Sequence, residues 1–127
     1  MEGSELAFKT CKWISENREA FDALMFLVRE EKRRGNPSVQ RGDVWTLARE
    51  KGMDVSDIPG LKRDNNLWAG ITRYMVMIDP SLCSCLSFRP SKLDVVDLRA
   101  MWHDHVDEST VFQANGRAAA SALWCAK

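Results

Sequence analysis

Apolar residues recur at three- and four-residue spacing in segment after segment, and three of those segments end at glycine or proline. This restricts the chain to short amphipathic helices folded back on one another. Phe21, Leu24, Met25 and Val28 set the first clear stripe, with Asn17 placed to cap it. Leu6, Trp13 and Ile14 carry the pattern backwards, as a preceding helix or one continuous rod. Gly35-Asn36-Pro37 stops it near Arg34. The last turn holds Arg29, Lys32, Arg33 and Arg34. Cations there complement the negative end of the helix dipole; the other reading is a phosphate-contacting cluster.

After the breaker, Ser38-Val39-Gln40 reads as a brief strand, and Gly42-Asp43 opens a second helix with Asp43 as cap and Val44, Leu47 and Ala48 inward. Gly52 ends that helix. Residues 53–61 read as a loop, and a third helix starts near Asp64 or Asn65. Its wide apolar face comprises Leu67, Trp68, Ile71, Tyr74, Met75 and Ile78, and Pro80 stops it. Gly70 beside Ala69 makes a flat spot suited to close helix packing. Leu82, Leu86 and Phe88 alternate with small or polar residues, which predicts a strand over 82–89. Ser91 and Asp94 form a capping pair for a fourth helix running to about Val106. Residues 107–127 read as a loose tail, and their Ala-rich end as a short helix or a non-native extension.

The chain has 127 residues, 45% hydrophobic and 28% charged, enough for one domain over residues 1–106 with its own core. This excludes collagen, coiled-coil fibre and low-complexity polymer. No apolar run approaches the roughly 20 residues needed to span a bilayer. Glu2 and Glu5 near the start, without a continuous apolar stretch, leave no secretory signal. Cys11, Cys83, Cys85 and Cys125 show no framework spacing. A cytoplasmic location with reduced thiols is therefore expected.

Charges cancel, 18 basic against 18 acidic, but unevenly. Residues 29–92 hold twelve basic and eight acidic side chains, a balance of +4, and each flank balances at −2. A basic centre suits a polyanion.

The order helix, short strand, helix, loop, helix, strand-like region resembles that of winged helix-turn-helix DNA-binding domains over residues 39–92. Gly42-Asp43-Val44-Trp45-Thr46-Leu47-Ala48 resembles a second helix entered straight from a strand, and residues 62–78 stand where the recognition helix would be. Residues 86–92, with Arg89 and Lys92 beside Pro90, would be a short wing. The resemblance implies a mainly α, winged-helix-like three-helix core with a short β-hairpin and helical extensions at both ends. It implies that Lys62, Arg63, Asn66 and Arg73 meet duplex DNA, with Arg89, Lys92, Arg41 and Arg49 on its backbone. Asn suits adenine, and Arg suits guanine or phosphate. All of this requires a third helix whose apolar side is covered and whose cationic side faces outward.

Chemistry-bearing clusters are few. Cys83 and Cys85 would share a strand face, whereas His103 and His105 on a helix would point apart. No zinc spacing, nucleophile elbow or phosphate-cradling loop occurs. No metal, cofactor or catalytic residue is expected. Trp13, Trp45, Trp68, Trp102 and Trp124 fall one to each expected helix and read as core anchors, with Trp45 the best candidate for a contact surface. The function read from the sequence is non-enzymatic nucleic-acid binding by a regulator or accessory protein of a phage or mobile element. The alternative is a protein–protein interaction module, an adaptor or inhibitor, in homodimeric form or with another partner. Neither involves a membrane.

Overall fold

The computed structural model describes residues 2–53, 65–88 and 90–106. Expectations for Lys62, Arg63, Arg89 and the 107–127 tail lie outside the described residues. Five α-helices follow in order: α1 Gly3–Glu16, α2 Arg18–Arg33, α3 Arg41–Glu50, α4 Asn65–Ile78 and α5 Leu98–His105. Short 3-10 helices at Pro80–Ser84 and Lys92–Val95 lie between α4 and α5. No helix among the described residues is long and apolar enough to cross a membrane.

The breakers act where local chemistry places them. Gly35 takes φ +90° after α2 and Gly52 takes φ +70° after α3, a left-handed backbone that side chains disfavour. Asn17 separates α1 from α2, but as a terminator: its side-chain amide donates to the Trp13 carbonyl at 2.9 Å and does not cap α2. Asp43 sits inside α3 and accepts from the Gln40 amide at 2.8 Å, so Gln40 holds the capping position.

Two expectations fail. The described residues contain no strand, so neither the Ser38–Gln40 strand nor the β-hairpin of the winged-helix reading forms. Pro80 instead starts a 3-10 turn, and the Asp79 carboxylate secures it by accepting from the Ser81 amide and hydroxyl. The second failure is the fourth helix, which is interrupted. Ser91 and Asp94 do form a capping pair, but it closes a single 3-10 turn. Val96 is extended, and Asp97 then caps α5 by accepting from the Ala100 amide at 3.1 Å. Two cap-forming aspartates three apart, with β-branched Val95-Val96 between them, favour a restart over a continuous rod.

The core gathers around α4. Ala7, Cys11 and Ile14 of α1 and Phe21, Leu24, Leu27 and Val28 of α2 are buried, as is Trp102 of α5. Trp102 stacks at a tilt on Phe21 and Tyr74, each with ring centroids 5.7 Å away. Gly70 is the flat spot it promises to be. A β-carbon there would fall 2.9 Å from Thr10 Cγ2 and 3.0 Å from Thr10 Cβ, so α1 and α4 touch through this glycine. Four residues further along that seam, the Cys11 thiol donates to the Tyr74 hydroxyl at 2.9 Å.

Candidate interaction cleft

From Gly70 to Met77 every residue of α4 is buried. Eight consecutive residues make more than two turns, so no side of that stretch faces solvent. Asn65–Ile78 contains a single charged residue, Arg73. A helix that is apolar all round belongs inside, and this was the signal in the sequence that α4 is the central helix.

Arg73 therefore cannot serve as the base-reading cation implied by the resemblance. It is 3% exposed. Its Nε donates to Asp94 Oδ1 at 3.1 Å, its Nη1 donates to the Ala69 carbonyl at 3.1 Å, and its guanidinium lies over the Phe88 ring at 5.0 Å. Asp94 Oδ2 also accepts from the Ser91 amide at 2.9 Å. One carboxylate thus ties the Ser91 turn to the middle of α4.

The basic end of α2 is likewise engaged. Arg29 pairs with Asp79 at 3.0 Å, Arg34 with Glu50 at 3.2 Å, and Arg33 and Lys51 converge on Glu30. Burial works to raise the Asp79 carboxyl, but the Ser81 and Arg29 hydrogen bonds outweigh it and leave it below its ordinary value. Hydrogen bonding from Arg33 holds Glu30 low as well. These cations join helix ends to each other.

Beside the N-terminal half of α4 lies a cleft of about 500 Å³. Val39, Gln40 and Arg41 wall it from the start of α3, Trp68, Ala69, Thr72 and Arg73 from α4, and residues 86–88 with Pro90 and Ser91 from the third side. The cleft brings together Arg41, Asn66 and Arg73 from the sequence-derived set, adding Gln40, Trp68, Thr72, Ser87 and Phe88. Asn66 is exposed and Arg41 half-buried. Arg49 and Lys92 are exposed and not among its lining residues. Trp45, the favoured contact residue, stands edge-on to Trp68 at 6.4 Å and backs the aromatic that lines the cleft.

The cysteines divide. Cys11 and Cys85 are buried free thiols, whereas Cys83 is disulfide-bonded, so the expectation of reduced thiols fails there. Burial pushes the Cys11 thiol up to about 11, against the lowering effect of Tyr74, which makes it a poor nucleophile at neutral pH. Among the described residues no three His, Cys, Asp or Glu side chains cluster as metal ligands. Neither a family model, a curated protein nor a solved structure matches this chain.

Proposed function

We propose that this chain is a non-enzymatic interaction module that receives a segment of a partner protein in the cleft beside α4. The character of the lining carries the reading. Trp68 and Phe88 supply apolar seats, and Gln40, Asn66, Thr72, Ser87 and Ser91 supply amide and hydroxyl groups. The guanidinium at the base is neutralised by Asp94. Amide and hydroxyl groups beside two aromatic seats, with Arg41 at the rim, suit the mixed chemistry of a peptide better than a polyphosphate backbone.

The test selects short random peptides displayed against the full chain. Enriched peptides should lose about tenfold affinity or more on Phe88→Ala, in protein that retains its wild-type helical circular dichroism. Failure to enrich any peptide, or enrichment of peptides indifferent to both Phe88→Ala and Trp68→Ala, overturns the reading.

Duplex DNA is the second reading, favoured by Asn66 and Arg41 lining one cleft. Binding of that kind weakens steeply with salt. A low-salt mobility shift on mixed duplexes that disappears on Arg41→Glu would put DNA in place of the peptide.

A further inference from the structure

We infer that the wall of the cleft formed by Leu86, Ser87 and Phe88 is an open β-edge, and that the occupant is an extended peptide whose backbone pairs with it. This rests on the interaction-module reading and specifies the partner's conformation.

Three observations converge on it. Burial alternates along the wall: Leu86 is buried, Ser87 exposed and Phe88 half-buried. That two-residue period belongs to a strand, although no strand is formed. Next, among the described residues the Ser87 and Phe88 amides and carbonyls make no hydrogen bond, to backbone or side chain. Lastly, a backbone hydrogen bond already joins the two walls at the head of the cleft. The Val39 amide donates to the Cys85 carbonyl at 2.8 Å, and among the described residues no second backbone bond joins the two segments, both of which go on to line the cleft.

An extended chain entering here would add backbone pairing beyond the single Val39–Cys85 hydrogen bond. Each of its residues advances about 3.3 Å, so two or three would run the length of the wall. Pro90, with no amide hydrogen, ends the edge and keeps it too short for indiscriminate sheet growth. So short an edge offers few hydrogen bonds. Selectivity must then come from a side chain of the peptide, and the aromatic walls at Trp68 and Phe88 call for a large apolar or aromatic residue.

The closing experiment takes a peptide selected on the full chain and methylates its backbone nitrogens one at a time. Strand pairing predicts losses of about tenfold at alternate positions and little change between them, because successive amides point to opposite sides. It also predicts slowed amide exchange at Ser87 or Phe88 when the peptide saturates the protein. A peptide that depends on Phe88 and Trp68 yet tolerates every methylation, with exchange unchanged at both amides, overturns strand pairing and leaves the interaction module standing. If no peptide depends on the cleft, both fall together.

Discussion

Two sides of α4 meet opposite treatment. Toward α1 the seam is closed: Gly70 admits Thr10, and Tyr74 accepts from Cys11. Toward residues 86–88 the same helix lines a cleft with Trp68, Ala69 and Thr72. The closed side is joined by close packing, and the open side includes the Arg73–Asp94 ion pair. A small domain thus uses its central helix both as core and as one wall of a surface depression, and only the second role leaves room for a partner.

The largest break in that comparison comes at the ion pair. Asp94→Ala strands the Arg73 guanidinium inside and removes the acceptor for the Ser91 amide, at a cost of about 3 kcal/mol. Urea unfolding would register it as a lowered midpoint, with Asp94→Asn recovering part because it keeps an acceptor. A cost below about 1 kcal/mol would show that Arg73 reaches water readily.

On the closed side, Gly70→Ala forces a methyl group into Thr10. A cost of about 1–3 kcal/mol is expected, exceeding the gain in helix propensity. Thr10→Ala should relieve much of it, so a double-mutant cycle yields a non-additive pair. Additive effects would mean that α1 and α4 can shift apart freely.

The smallest effect tests the Cys11–Tyr74 contact. Tyr74→Phe removes two buried hydrogen bonds, the one accepted from Cys11 and the long one donated to the Ala7 carbonyl at 3.4 Å, for about 1–2 kcal/mol in all. It should also change the alkaline limb of stability. Burial raises both groups above their ordinary values, Cys11 from 9.0 to about 11 and Tyr74 from 10.0 to beyond the alkaline range. The folded state then binds more protons than the unfolded state once pH passes 9. Stability should hold below pH 9 and fall as pH rises toward 11. Tyr74→Phe should flatten that fall above pH 10. An unchanged slope in denaturation measured across that range would place Tyr74 in contact with water.

Helix positions were legible because their signals are local: Gly35, Gly52 and Pro80 act within a turn of themselves. The fate of α4 was half legible. Its apolar stripe stood out, but Arg73 seven residues after Asn66 read as a cationic face, and its partner Asp94 lies 21 residues away in sequence. Nothing local announces such a pair. The missed strand over 82–89 failed differently. Its alternation is real in Leu86, Ser87 and Phe88, but a ladder needs a second chain, and periodicity shows a capacity for pairing without supplying the mate. The cleft was illegible as a unit, since its walls come from three separated segments, yet Asn66, Arg41 and Arg73 were each singled out.

The Asp94 carboxylate makes occupancy of the depression measurable without a label. It fastens the Ser91 turn, beside the proposed docking wall, to the molecule's innermost helix. Whatever steadies that turn in the native chain and ignores the unfolded one must raise the melting temperature, by an amount growing with the logarithm of its concentration above its dissociation constant. The protein is its own thermometer for the partner it takes up.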